Sequence, residues 1–401
     1  MKDSGVQWIG LIPDDWEKCK LKYKIQGVSS GAYIDKLDYN VDGEFPIIGS
    51  NGEIGRSNKI NNEEKVITTG RVGSIGTAHY VEKAWITDNT LIIHLSDNIP
   101  YKYIQYVIPQ FDYPFLIKGT AQPLMTSTLL KNQYISFPRD ITAQEKIINF
   151  LDKKCSEIQS AIDNTKQTIE EYKKLKQAVI TKAVTKGIRE NRKLKDSGSV
   201  WFADVPEDWK TKKLKFIFYI KKDIAGKEGY DVLSITQKGI VVKDLSKNEG
   251  QLAADYSNYQ LVNVGDFAMN HMDLLTGWID ISKYPGVTSP DYRVFQLHEP
   301  ENNCARYYLY MMQMCYMNRI FYGLGQGVSG MGRWRLQADK FLNFLIVQPP
   351  KSEQQEIADY LDKKCSQIDT LISQKEQFIT ELEKYKQSLI YEYVTGKKEV
   401  K

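Results

Sequence analysis

No apolar stretch in this 401-residue chain approaches the roughly 18–20 residues that a membrane-crossing helix needs. The five cysteines, Cys19, Cys155, Cys304, Cys315 and Cys365, are an odd number and form no C-x-x-C. That pattern argues against a disulfide framework or a zinc knuckle and for reduced thiols in a cytoplasm. The four histidines, His79, His94, His271 and His298, show neither H-E-x-x-H nor Cys/His ligand spacing, so no metal site is expected. The phosphate-binding G-x-x-x-x-G-K-[ST] is absent, as is the [DN]-P-P-[YF] of amino-methyltransferases. The nearest string to the latter, Ser289-Pro290-Asp291-Tyr292, lacks the tandem prolines. Gly325–Gly330 is a literal G-x-G-x-x-G, but a helix-like aromatic stretch precedes it and Met331-Gly332-Arg333 follows, so it reads as a loop. No Ser/His/Asp or Cys/His constellation stands out, and the chain is expected to carry no catalytic centre. A strong charge excess is also missing. The net charge is +4, which is weak support for a polyanion partner. If the chain binds DNA, partners are expected to supply much of the phosphate neutralisation.

What is present is repetition. Residues 2–22 read K-D-S-G-x-x-W-x-x-x-x-P-x-D-W-x-x-x-K-L-K, and residues 195–215 repeat that frame, with Trp8 and Trp16 matched by Trp201 and Trp209. Leu151–Ser156 returns letter for letter as Leu361–Ser366. The first pair of blocks is offset by 193 positions and the second by 210, so the second insert is the longer. Met1–Gly5 opens directly on the repeat, and no signal peptide is expected ahead of it. The tryptophans have two readings. They anchor each block to the adjacent helices, or they offer a docking surface used twice.

Residues 143–186 place Ile147, Leu151, Cys155, Ile158, Ile162, Ile169, Tyr172 and Val179 on one helical stripe. Residues 353–396 repeat it with Ile357, Leu361, Cys365, Ile368, Ile372, Ile379, Leu382 and Leu389. Helices of about 44 residues would be roughly 65 Å long, and a narrow stripe over that length points to a coiled coil. Thr142 and Ser352 are candidate N-caps, and stops are expected at Val184–Gly187 and Val394–Gly396. The end of the second helix leads back to the start of the chain as the end of the first leads into residue 195. That circular layout predicts neighbouring termini and antiparallel helices about a pseudo-two-fold axis. Cys155 and Cys365 would then be roughly 30 Å apart, beyond disulfide reach.

Between the shared blocks the two inserts differ in letters but share an order of elements. Strands are expected at 46–48, 65–68, 76–81 and 90–94, with Asn51-Gly52 as a turn, and at 239–242, 266–269 and 292–295. An aromatic-rich helix follows in each, about 101–117 and 304–322, then a Gly-containing loop and a strand ending at Pro. The polar loops combine Arg with small residues, as at Thr68–Gly76 and at Gln326, Ser329, Arg333, Trp334 and Arg335. Arg can read guanine, and Asn or Gln adenine, while Lys mostly meets phosphate. The fold expected is α+β: two globular α/β heads joined by two long antiparallel helices. The divisions are 1–142 for the first head, 143–187 for the first helix, 188–352 for the second head and 353–397 for the second helix.

The doubled K-D-S-G-x-x-W…P-x-D-W entry, the doubled helix with L-D-K-K-C-S, and the approaches Pro138…Gln144 and Pro349-Pro350…Gln354 resemble the specificity subunit of type I restriction–modification systems. The resemblance covers essentially the full chain. It implies that each head is a target recognition domain reading one half of a split, asymmetric double-stranded DNA site, with the helix pair as the ruler. It also implies two methyltransferase subunits docked on the repeats and helices, bringing S-adenosylmethionine, and up to two restriction subunits bringing ATP and magnesium chemistry. No cofactor is expected in this chain. Candidate DNA contacts are Arg56, Lys59, Arg71, Ser74, Thr120, Gln122, Lys238, Asn270, Arg293, Gln326, Ser329, Arg333, Trp334 and Arg335. Candidate subunit contacts are Trp8, Trp16, Trp201, Trp209, Gln144 and Gln354, and the candidate helix-pair core is Leu151, Cys155, Ile158, Ile162, Leu361, Cys365, Ile368 and Ile372. The competing reading is a non-catalytic coiled-coil protein that binds a protein partner through both heads.

Overall fold

The computed structural model describes residues 1–97, 99–116, 124–247, 253, 255–327 and 334–400. The chain divides into two compact units. One joins Met1–Lys166 to Lys375–Lys401, and the other is the continuous segment Gln167–Gln374. The division falls inside the long helices, so each unit holds one head, the start of the helix that leaves it and the end of the other helix.

Each head is built on a four-stranded antiparallel sheet with the same order. In the first unit the order is Ile25–Ser30, Thr90–Leu95, Val66–Gly70, His79–Val81. In the second it is Phe218–Lys221, Arg293–Leu297, Phe267–Met269, Ile279–Ile281. Side chains alternate across a strand, and these strands are apolar on both faces. Ile67, Leu91 and Ile93 enter the main core of the first head, while Val66 and Ile92 enter a smaller one behind. Phe267 and Phe295 likewise face the main core of the second head, with Ala268 and Val294 behind. The Asn51-Gly52 turn is present: Phe45–Gly49 and Gly52–Ser57 form a hairpin, and Gly52 has a φ of +105°.

The aromatic stretches form α1 (Tyr101–Val107), which precedes the long helix α2 (Ile141–Lys186), and α3 (Ala305–Met317), which precedes α4 (Lys351–Val394). A strand from each repeat block pairs with the strand entering each long helix: Trp16–Lys20 with Tyr134–Pro138, and Lys210–Lys213 with Leu345–Gln348. Both long helices start about two residues earlier than the sequence pattern implies. Asp140, not Thr142, accepts at the start of α2, its Oδ1 lying 3.0 Å from the Thr142 amide, and Ser352 lies inside α4. The stops are glycines with left-handed backbone, Gly187 at φ +77° and Gly396 at φ +71°. A Cβ at Gly396 would lie 2.4 Å from Pro13 and 3.2 Å from Trp16, and one at Gly187 3.3 Å from Trp209. The repeated tryptophan therefore seals the helix end in each unit, which is why no larger residue fits there.

Within each unit the helix segments run antiparallel. In the first, Phe150 meets Tyr393 with ring centroids 4.5 Å apart, and nine residues on, Gln159 accepts from Lys386 at 3.2 Å. In the second, Lys176 pairs with Asp369 at 2.7 Å and Arg189, just past the end of α2, with Glu356 at 2.8 Å. The expected stripe is buried at Leu151, Cys155, Ile158, Ile162, Leu361, Cys365 and Ile368, whereas Ile372 is half-exposed. It is not a free-standing coiled-coil seam along its whole length. Leu151 to Ile162 belong to the core of the first head together with Leu389, Tyr393 and Val394. Leu361 and Cys365 belong to that of the second with Ile180, Ala183 and Val184. Both chain ends lie in the first unit. Lys397 donates to the carbonyls of Ile9 and Leu11 at 2.7 and 2.6 Å, and the Tyr391 hydroxyl to that of Trp8 at 2.9 Å. All five cysteines are free thiols.

Candidate nucleic-acid interface

The two heads share a set of internal bonds that fixes each sheet to the helix ends. The Tyr103 hydroxyl lies 3.0 Å from the Ser136 carbonyl and 3.3 Å from that of Val394, sharing one proton between them. Tyr307 does the same at 3.2 Å from Val347 and 3.1 Å from Val184. One turn on, Tyr106 donates to Asp152 at 2.7 Å and Tyr310 to Asp362 at 2.8 Å. The same carboxylates pair with Lys102 and Arg306. Burial and the carboxylate both push the Tyr106 and Tyr310 hydroxyls well above their ordinary pKa, so they stay protonated donors. These tyrosines went unnoticed in the sequence because α1 and α3 share few letters.

On this frame the strands Val66–Gly70 and Phe267–Met269 end at matched places. The amide of Met125 donates to the Arg71 carbonyl at 2.9 Å, and that of Leu336 to the His271 carbonyl at 3.0 Å. In the neighbouring strand Leu91 stands opposite Thr69, and Arg293 opposite Met269. The first head thus sets Leu91, Arg71 and Leu124 where the second sets Arg293, His271 and Arg335.

In the first head the structure brings Arg71 and Ser74 together on the loop that leaves the strand. Thr77 ties this loop to the hairpin turn by donating to the Ser50 carbonyl at 2.7 Å. Arg71 is half-exposed, with one contact of 3.5 Å to the Asp88 carbonyl. Arg56 lies apart and holds its own hairpin, donating to the carbonyls of Gly43 and Glu44 at 2.7 and 2.6 Å. Lys59 pairs with Asp38 at 2.7 Å. In the second head Asn270, Arg293, Gln326, Trp334 and Arg335 gather around one strand end, with Gln326 opposite Arg335 and Gly327 opposite Trp334 in a two-stranded ribbon. Of the glycine-rich string, Gly325 caps a short helix and Gln326-Gly327 form one strand of that ribbon, and the rest lies outside the described residues. Lys238 lies exposed in a separate hairpin turn. Thr120, Gln122, Ser329 and Arg333 fall outside the described residues. Arg293 lies inside the head and not on its surface. It is 4% exposed, its Nη2 donates to the Leu336 carbonyl at 3.0 Å, and its guanidinium stacks 4.8 Å from the Phe341 ring.

The candidate subunit contacts divide. Trp209 is fully buried with its Nε1 3.0 Å from Glu353, and Trp16 is 7% exposed. Gln144 and Gln354 are buried and donate to the carbonyls of Pro138 and Pro349 at 2.8 and 2.9 Å. These four side chains are engaged inside their own units, where they offer little to a partner. Trp8 packs edge-on against Phe111, while Trp201 is 38% exposed. The repeat also carries a matched exposed pair that sequence reading passed over. Tyr23 is 66% and Phe216 64% exposed, each beneath a lysine, Lys22 at 5.1 Å and Lys215 at 5.3 Å from the ring. Among the described residues no group of His, Cys, Asp and Glu side chains is placed to hold a metal ion, and no helix is long and apolar enough to cross a membrane.

Two differently lettered heads on one repeated frame define a duplicated, two-headed recognition protein. The family model of the type I restriction modification DNA specificity domain matches the chain twice, over residues 13–174 and 206–382, and the chain belongs to that family as a type I restriction–modification specificity subunit with two DNA-specificity domains. It is similar to the type I restriction enzyme MjaVIII specificity subunit of Methanocaldococcus jannaschii, 23% identical over 418 residues that cover 97% of this chain and 94% of that one. Among solved structures, one described as the structural basis of complex assembly and conformational transition of the type I R-M system aligns with a TM-score of 0.65. It is 13% identical and covers 96% of this chain and 98% of that one, a likeness of fold.

Proposed function

We propose that the two heads read the two halves of a split, asymmetric DNA site, and that the antiparallel helices set the unread gap between them. Methyltransferase subunits dock on what the two units share, bringing S-adenosylmethionine, and restriction subunits bring ATP and magnesium. This chain supplies position and sequence choice in the cytoplasm and no catalytic group. The observation that carries this reading is the contrast at matched strand ends. The frame of sheet, tyrosine and helix is the same in both heads, while the residues it presents are Leu91, Arg71 and Leu124 in one and Arg293, His271 and Arg335 in the other. A frame held constant beneath changed polar groups is what two different DNA readers need, because base edges are distinguished by donor and acceptor pattern. Membership in a DNA specificity family favours this over a protein-binding coiled-coil arm.

Mapping methylated bases in cells that express this chain with its methyltransferase tests the proposal. The expected result is one two-part motif with a fixed gap. A single contiguous motif would contradict it.

A further inference from the structure

The second head contains a cavity of about 480 Å³ lined in part by basic side chains. Lys222, His271, Arg293 and Arg335 line it, and among the described residues no Asp or Glu does. Arg293 and His271 are 4% and 6% exposed. Three buried nitrogens on this wall, Arg293 Nη1, His271 Nδ1 and Arg335 Nε, have no hydrogen-bond partner among the described residues. A buried guanidinium without a carboxylate is costly, as is any buried donor left unpaired. Burial and the neighbouring guanidinium of Arg335 lower Arg293 to about 10, and burial with both arginines lowers His271 to about 3. The fold does not require this arrangement, because the place of Arg293 in the first head is taken by Leu91, 1% exposed in an apolar core.

We propose that this cavity is an oxyanion site for a phosphate group, and that in the working complex the phosphate belongs to the backbone of the DNA bound by the second head. The proposal rests on the DNA-reading function. Two guanidinium groups and an imidazole converge on it, the donor set that phosphate oxygens accept, and the exposed Lys222 adds charge at the same wall. The first head has Leu91 and Leu124 at the matched places, and among its described residues there is no counterpart.

The test has two arms. In the first, the purified full chain is unfolded thermally with inorganic phosphate or with chloride at equal ionic strength. Phosphate is expected to raise the unfolding temperature of the wild type, by mass action on a native-state site, and to lose most of that effect in Arg335→Gln. That residue is half-exposed and its loss leaves the core intact. Arg293→Met, if it folds, should lose all of it. Equal unfolding in phosphate and chloride would overturn the oxyanion site whether or not DNA is read. In the second arm, the assembled methyltransferase complex binds duplexes carrying one neutral methylphosphonate at successive positions. One position in the second half-site is expected to weaken binding about tenfold in the wild type and to have no effect in Arg335→Gln. Stabilisation by phosphate with no sensitive position would overturn the assignment to DNA. Loss of all sequence preference in the wild type would instead count against the reading of the site.

Discussion

The two heads solve the same construction problem and differ where the frame meets solvent. In the first, Leu91 continues the apolar core to the end of its strand, and Arg71 there stays half-exposed. In the second, Arg293 stands in place of that leucine and lines a cavity together with His271 and Arg335. A second contrast lies one strand over. Lys221 and Asp266 form a buried pair at 2.9 Å in the second head, with Asp266 also accepting from the Asn263 amide at 2.8 Å. The matched strand places in the first head hold Ser29 and Val66. The second head thus has a charged interior and the first an apolar one, on the same sheet order. Divergence has reached into the core as well as the loops.

The largest expected effect breaks this contrast directly. Asp266→Ala removes the buried partner of Lys221, leaving only the exposed Asp223 at 3.6 Å, and should destabilise the second unit by about 3 kcal/mol, measured by denaturant unfolding. Val66→Ala, at the matched place in the first head, removes only apolar volume and should cost less. Next come the frame tyrosines. Tyr103→Phe and Tyr307→Phe each strip the shared donor from two buried carbonyls and should cost about 1–3 kcal/mol. The two values should agree within about 0.5 kcal/mol, since both bonds serve the same joint. Unequal losses would mean that the frame is not shared in energy as it is in geometry. Tyr23→Ala and Phe216→Ala should change stability by less than about 0.5 kcal/mol yet each weaken assembly with the methyltransferase by about 1–2 kcal/mol, read by calorimetric titration. Arg71→Ala, confined to one half-site, should weaken only that of the first head, by about 1 kcal/mol if it meets a base edge, and a loss spread evenly over all sequences would make it a phosphate contact.

Much of the frame was legible because it was written twice. Identical letters at Trp16 and Trp209, and at Leu151–Ser156 and Leu361–Ser366, fixed the repeat and the helices. The heads were legible as strands, turns and one aromatic helix each. Their correspondence is carried by hydrogen-bond register, which leaves few letters in common. The offset between matched positions is 193 at Ile25 and Phe218, 200 at Ile67 and Phe267, 202 at Ile93 and Phe295, 204 at Tyr103 and Tyr307, and 211 at Ser136 and Val347. Length therefore changed in several loops, one step at a time. Arg293 was read as a candidate contact from its chemistry, but a single apolar-looking strand cannot say that its arginine points inward. Trp209, Gln144 and Gln354 were read as possible docking groups because they recur, and they recur because each closes a joint inside its unit.

The central claim is that the heads are independent readers on one symmetric frame. Replacing residues 217–348 by a second copy of 24–137 tests it most directly, with methylated sites mapped in cells that supply the methyltransferase. The account predicts an inverted repeat of the first half-site alone, with the gap set by the unchanged helices. Retention of the original asymmetric site, or a new motif unrelated to the first half-site, would contradict it.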